Sequence, residues 1–200
     1  MLALIMGGGE GTRLDLGEKP LVTVQGTPMI SRVIEAFEQG GYEVVVALTP
    51  RTPFTANWCR VHGIPHVITR GTGYIADLVE AVCELEEQNP LFTSVSDLPC
   101  LRSSTLHHLH TLYHSSGKPA CSAWVPASLL KDRGISYRYM ESVEGVDSVP
   151  AGINILLGKQ IQEEQEELRC LLPLPDLAVH VNTRSDLEIA RTLCQKISMA

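Results

Sequence analysis

Met1-Leu2-Ala3-Leu4-Ile5-Met6-Gly7-Gly8-Gly9-Glu10-Gly11-Thr12-Arg13, with Lys19-Pro20 after a five-residue spacer, opens the chain. The apolar run is short and ends in glycines, which predicts a buried strand. Glycine lacks Cβ and reaches φ > 0, so the backbone after the strand can turn several N–H groups toward one anion. Arg13 and Lys19 bring a bidentate fork and a compact point charge to the same place. No Gly-Lys-Ser/Thr follows, and the glycines do not give G-x-G-x-x-G. A glycine-rich turn after a strand can be a tight turn and nothing more. The attached Thr12-Arg13 and the downstream Lys19-Pro20 favour a phosphate-binding loop.

Downstream, Thr27 is expected to cap a helix with Pro28 at its first position. That helix runs to Gln39 and is stopped by Gly40-Gly41, with Met29, Ile30, Val33, Ile34 and Phe37 facing a sheet. Strands are expected over 43–48, 64–68, 91–95 and 119–125, and a helix over about 54–62. A third helix follows Arg70-Gly71-Thr72-Gly73, with Ile75, Leu78, Val79, Val82 and Leu85 as its buried stripe. The loop before it is either a second anion site or simply the cap of that helix. The charge run 163–167 reads as a solvated helix face, and Ser185 with Glu188 as a capping box for the last helix, which is expected to bury Leu187, Ala190, Leu193, Cys194 and Ile197. This alternation of strands and helices is an α/β pattern.

Ser96-Asp97 sits just beyond a strand's carboxyl end, where open α/β sheets bind ligands. Asp97 is placed to hold Mg²⁺ against phosphate oxygens; the alternative is a carboxylate that caps the next turn. His107, His110 and His114 share one helix face, but no Cys or acidic partner falls at matching spacing, so a solvated face is expected rather than a metal site. Lys131 to Met140, with Arg133, Tyr137 and Arg138, is either the rim of an acceptor site or a surface hairpin. In Val149-Pro150-Ala151-Gly152-Ile153-Asn154, Gly152 permits a close approach and Asn154 offers both a donor and an acceptor.

Composition bounds the class. Two hundred residues, 44% apolar and 20% charged, suit one globular domain with its own core. The net charge of −7 argues against nonspecific nucleic-acid binding. No apolar run is long enough to span a membrane, and the first is too short for a signal peptide. Cys59, Cys83, Cys100, Cys121, Cys170 and Cys194 form no C-x-x-C pair, so reduced, mostly buried thiols in a cytoplasmic protein are expected.

Gly8 to Arg13 with Lys19-Pro20 resembles the Gly-Gly-x-Gly-Thr-Arg and Lys-Pro signature of nucleoside-triphosphate transferases of the sugar-nucleotide pyrophosphorylase type. Glu10 stands at the variable position, and its carboxylate must point outward or face a cation. Gly73-Tyr74-Ile75-Ala76-Asp77-Leu78, Ser96-Asp97-Leu98, Val149 to Asn154 and Asn182-Thr183-Arg184-Ser185-Asp186-Leu187 follow in the order of one subfamily. The chain thereby resembles the archaeal-type GTP:adenosylcobinamide-phosphate guanylyltransferases of cobalamin biosynthesis. The resemblance implies a single-domain, three-layer Rossmann-like nucleotidyltransferase fold with a mostly parallel mixed sheet over residues 1–200. It implies GTP and adenosylcobinamide phosphate as substrates, with Mg²⁺ as cofactor. Gly8, Gly9, Gly11, Thr12, Arg13, Lys19 and Gly73 would then meet the nucleotide, and Asp97 the metal. Gly152 and Asn154 would lie near nucleotide or acceptor, and Asn182 near metal or phosphates. Transfer to a sugar phosphate or to the molybdenum cofactor, and nucleotide sensing without chemistry, stay open. So does the oligomeric state, a homodimer included.

Overall fold

Ala3 and Ile5 of β1 (Leu2–Met6) are fully buried in one hydrophobic cluster and Leu4 in another, so the opening run has a helix layer on either side. The computed structural model describes residues 1–12 and 14–198; Arg13 lies outside the described residues, as do the side chains of 197 and 198. In chain order the remaining elements begin with β2 (Thr23–Val24), β3 (Thr27–Pro28), α1 (Met29–Gln39), β4 (Glu43–Leu48) and α2 (Pro53–Val61). Then come β5 (His66–Ile68), α3 (Tyr74–Glu84), β6 (Pro90–Val95), α4 (Ser103–Ser116) and β7 (Ala120–Pro126). The chain closes with α5 (Ala127–Lys131), β8 (Glu141–Val143), β9 (Val146–Leu157), β10 (Glu167–Leu171) and α6 (Arg184–Ser198).

The main sheet has the order β10-β7-β9-β6-β1-β4-β5, with β8 attached to β9. β1 pairs parallel with both β4 and β6, β4 with β5, and β7 with β10. β9 alone runs against the others, pairing antiparallel with β6, β7 and β8. From β1 the chain first steps outward to β4 and β5, then returns to place β6 on β1's other side. That reversal splays apart the loops leaving β1 and β6 and opens a crevice at their carboxyl ends. The loop after β1 and Asp97 after β6 are thus brought together by strand order, 78 residues apart in sequence.

One face of the sheet carries the larger core, with Met29, Ile30, Val33 and Phe37 of α1, Leu106 and Leu109 of α4, and Leu187 and Ala190 of α6. The other carries a small cluster in which Leu78, Ala81 and Val82 of α3 cover Leu4, Ala47 and Leu91. α3 leaves the carboxyl ends of β1, β4 and β6 bare on its side, and the crevice opens there.

Several local expectations need correction. Pro28 is extended (ψ 141°) and pairs with Thr23, so α1 begins at Met29 and Thr27 does not cap it. Ile75 is 67% exposed; Asp77 and Ala81 take the inward positions of α3 beside Leu78 and Val82. The run 163–167 is no helix: it leads into β10, whose parallel ladder with β7 is held by backbone groups whatever the side chains. The last helix starts at Arg184. Thr183 Oγ1 accepts from the Asp186 amide at 3.2 Å while the Asp186 carboxylate takes the Asn182 and Thr183 amides, so the box is Thr183/Asp186. Glu188 pairs instead with Arg191. Ile197, expected on the buried face of α6, lies outside the described side chains.

The thiol expectation also changes. Cys100 and Cys194 form a disulfide, with Cα atoms 4.9 Å apart, that ties the loop after Asp97 to α6; Cys59, Cys83, Cys121 and Cys170 are free. The histidine face is not merely solvated. His110 Nδ1 meets the Tyr42 hydroxyl at 3.1 Å, His114 Nε2 meets His110 Nε2 at 2.8 Å, and His107 Nε2 reaches the Gly40 carbonyl. They staple α4 to the end of α1. Among the described residues no three His, Cys, Asp or Glu side chains could hold a metal ion. No helix among the described residues is long and apolar enough to cross a membrane.

Candidate active site

β1 ends where it must hug its neighbour. A Cβ on Gly7 would come within 2.9 Å of Leu48, and one on Gly8 within 2.6 Å of Thr49, so the first two glycines are set by packing against the end of β4. Gly11 is set by backbone shape, at φ +72°, and its carbonyl accepts from the Leu14 and Asp15 amides to close the turn. Among the described residues the amides of Gly8, Gly9 and Glu10 have no protein acceptor, whereas that of Gly7 is spent on Ala47. Glu10 turns outward, and its carboxylate faces Arg51 at 3.8 Å on the exposed rim.

The loop's far end is pinned. The Lys19 amide returns to the Gly9 carbonyl at 3.2 Å, and Pro20 is buried in a short 3-10 turn. Glu18 accepts from the Phe54 amide at 2.8 Å and the Thr55 amide at 2.6 Å. α2 has no capping side chain of its own, so this distant carboxylate does the work of one. Replacing Glu18 with Ala is expected to lower the free energy of unfolding by about 1 kcal/mol, measured by urea denaturation.

These restraints aim the Lys19 side chain inward. Its Nζ bonds Asp97 Oδ2 and, at 2.9 Å, Asn182 Oδ1, so one ammonium gathers two oxygens from opposite ends of the chain. Asn182 is delivered by the segment 179–182, which the Val181 amide ties to the Asp97 carbonyl at 3.1 Å. Behind Asp97 lies a residue the sequence reading passed over: His180 Nδ1 stands 3.4 Å from Asp97 Oδ1. Burial by itself would push the Asp97 carboxyl up. The facing His180 imidazole and then the Lys19 ammonium outweigh it and hold the group well below the usual carboxylate range. The alternation Val179-His180-Val181-Asn182, with both valines fully buried, was the available signal that His180 and Asn182 point the same way.

The cleft above these residues has a volume of about 450 Å³, within the size of small-ligand sites. Gly8, Gly9, Lys19, Gly73 and Asp97 line it, joined by Thr49, Arg51 and Tyr74 from neighbouring loops. Although Tyr74 as a residue is 41% exposed, its hydroxyl is sunk beside Thr93; burial first, and then the Asp97 charge, push the phenol up to about 12. The loop before α3 settles one open alternative. Asp77 Oδ1 takes the Gly71 and Thr72 amides at 2.9 and 3.0 Å, and Oδ2 the Gly73 amide at 3.3 Å. Arg70 pairs with Glu80. The loop's amides are thus spent on capping their own helix, while Gly71, Thr72 and Gly73 still line the cleft.

Two further expected residues stand off the cleft wall. Gly152, at φ +67°, packs behind Asp97, where a Cβ would come within 2.8 Å of Val95 and 3.1 Å of His180. Asn154 lies in mid-strand, its Nδ2 donating to Thr93 Oγ1 at 3.3 Å. Gly11 and Thr12 shape the loop from outside the lining, and Arg13 falls outside the described residues.

Comparison with known proteins places this architecture. Residues 3–156 match the model of the MobA-like NTP transferase domain. Adenosylcobinamide-phosphate guanylyltransferase of Methanocaldococcus jannaschii is 28% identical over 207 residues, covering 98% of each chain. Among solved structures, a CMP:2-keto-3-deoxy-manno-octonic acid synthetase complexed with CTP shares the fold at TM-score 0.71, 18% identity and 98% coverage of both chains. Molybdopterin-guanine dinucleotide biosynthesis protein A of Archaeoglobus fulgidus does so at TM-score 0.69 and 16% identity, over 98% of this chain and all of that one. The strand order, the glycine loop and the full-length matches lead to one conclusion: the chain belongs to the MobA-like NTP transferase domain family and is a nucleotidyltransferase.

Proposed function

We propose that the chain transfers GMP from GTP to adenosylcobinamide phosphate, giving adenosylcobinamide-GDP and pyrophosphate. The observation that carries the nucleotide half is the convergence of unpaired loop amides, Lys19 and Asp97 on one cleft. The acceptor half rests on the guanylyltransferase of M. jannaschii, whose likeness extends over 98% of both chains and so past residue 156, where the family model ends.

The chemistry follows from charge. A phosphate oxygen of the acceptor attacks the α-phosphorus of GTP; the bond from that phosphorus to the oxygen bridging to the β-phosphorus breaks, and pyrophosphate leaves with the electron pair. Both reactants are anions, so the barrier falls chiefly by alignment and by neutralisation of charge. The Gly8 to Glu10 amides and the Lys19 ammonium would cradle the leaving phosphates, in the manner of a backbone nest. Asp97 and Asn182 would turn a carboxylate and an amide oxygen toward a divalent cation. Their donor atoms suit it: both are hard oxygens, Asp97 Oδ2 and Asn182 Oδ1, already converged on the cation Lys19. Bound there, Mg²⁺ would neutralise the negative charge that builds on the phosphate oxygens. Phosphates engaging Lys19 would loosen its hold on Asp97, whose carboxylate would then be available to hold a divalent cation. No side-chain nucleophile is required.

Purified protein with GTP and Mg²⁺ is expected to release pyrophosphate with adenosylcobinamide phosphate and not with sugar 1-phosphates. Turnover only with a sugar 1-phosphate would reject the acceptor; nucleotide binding without turnover on any acceptor would point to a sensor.

A further inference from the structure

Among the described residues, two buried side-chain polar atoms lack a hydrogen-bond partner, and they belong to neighbours: Asp97 Oδ1 and His180 Nε2. Unsatisfied buried polar atoms are rare enough that each calls for a reason. Here the two residues face each other, with His180 Nδ1 3.4 Å from Asp97 Oδ1, close but not aligned as a hydrogen bond. The imidazole is held from several sides. Val179 and Val181 are fully buried on either side of it in the chain, the Val181 amide is bonded to the Asp97 carbonyl, and Gly152 presses its bare Cα against the ring. A side chain at 152 would crowd both His180 and Val95.

We propose that His180 is a positioning residue for Asp97, its Nδ1–H fixing the Oδ1 edge so that Oδ2 stays aimed into the cleft after Lys19 lets go. The inference rests on the nucleotide and cation reading given above. Among the described residues the Asp97 carboxylate pairs with Lys19 on Oδ2 and faces His180 on Oδ1. Nucleotide phosphates compete for Lys19. With that bond loosened, His180 is the ion-pair partner among the described residues left to restrain rotation of the carboxylate. Hydrogen bonds of this kind are often long in the unliganded enzyme and tighten in the complex, which fits the 3.4 Å separation. The ring does not reach the cleft: Nε2 is buried and His180 is not part of the lining. It therefore acts through Asp97 and touches no substrate. The arrangement matches the outer partners of metal ligands generally, which orient a ligand and whose loss typically costs 10–100-fold in metal affinity or activity.

The test compares wild type with His180→Phe, His180→Asn and His180→Gln, reading Mn²⁺ retention in the presence of GTP by electron paramagnetic resonance alongside kcat and KM. Phe fills the space without a donor; Asn places an N–H near the former Nδ1; Gln carries its donor to the position of Nε2. Phe and Gln are expected to weaken Mn²⁺ retention roughly 10–100-fold and to lower kcat in step, with acceptor KM unchanged, and Asn to recover most of both. Thermal midpoints separate this from simple loss of packing, because Asn should melt below wild type while working better than Phe. Phe equal to wild type in Mn²⁺ retention, or Asn as deficient as Phe, overturns the positioning role alone. Failure of wild type itself to retain Mn²⁺ with GTP overturns the cation reading and this inference with it.

Discussion

Asp97→Asn is expected to cut nucleotidyl transfer by about 10²–10³-fold, the scale for losing one preorganised electrostatic contact at a reacting phosphate. The isosteric amide keeps the shape of the site but withdraws the negative charge that faces Lys19 and would face a cation. The same change touches stability, because Lys19 is left 17% exposed with only the neutral Asn182 oxygen and a neutral neighbour. About 1–3 kcal/mol of unfolding free energy should go with it. The pH dependence has a definite sign. Asp97 titrates lower in the folded protein than in the unfolded chain, so its contribution is fully present above the unfolded value of about 3.9 and is lost as pH falls through the lower folded value. The stability gap between wild type and variant should shrink as pH falls below about pH 4. Transfer assays with folding followed by circular dichroism check both parts. A variant that is folded and fully active would remove Asp97 from the chemistry, and a gap that opens toward acid would show the carboxyl to be raised.

How far the sequence carried depended on whether a feature is local. The strand of Met1 to Met6, its glycines and the α1 stripe were legible because burial period and breaker residues lie within a dozen positions. Asp97 was legible because the carboxyl end of a strand is a ligand-binding place in this class of sheet. The fate of the Gly71 to Gly73 amides was not, because whether they face a ligand or their own Asp77 depends on a side-chain rotamer. The Cys100–Cys194 bond joins positions 94 apart that only the packing of α6 brings together. β10 was hidden because an edge strand rich in charge satisfies its backbone through β7 and needs no apolar alternation. His180 was legible in principle from the buried valines flanking it, and was missed because the Asn182 motif next to it drew the reading.

Gly11→Ala is expected to weaken GTP binding on the order of 10²-fold while leaving the sheet folded. Two costs combine at this position. A residue with Cβ at φ +72° meets the left-handed penalty of about 1–2 kcal/mol. The new atom would also stand 2.8 Å from the Gly17 carbonyl oxygen, 3.0 Å from the Lys19 amide nitrogen and 3.1 Å from the Lys19 Cα. All three are backbone atoms, so no side chain can swing away; the 17–19 segment must move. That segment carries the Lys19-to-Gly9 hydrogen bond and aims the ammonium at Asp97, and a displacement near 1 Å at such a group can cost 10²-fold. Gly17→Ala is the control within the same loop. Its φ is +86°, but a Cβ there meets nothing within 4 Å, so it bears the strain without the collision. Isothermal titration with GTP should separate the two variants sharply, while their thermal midpoints differ far less. Equal affinities would mean that the approach of Gly11 to Lys19 does not set the position of the ammonium, and that the loop reaches its phosphate-binding shape by another route.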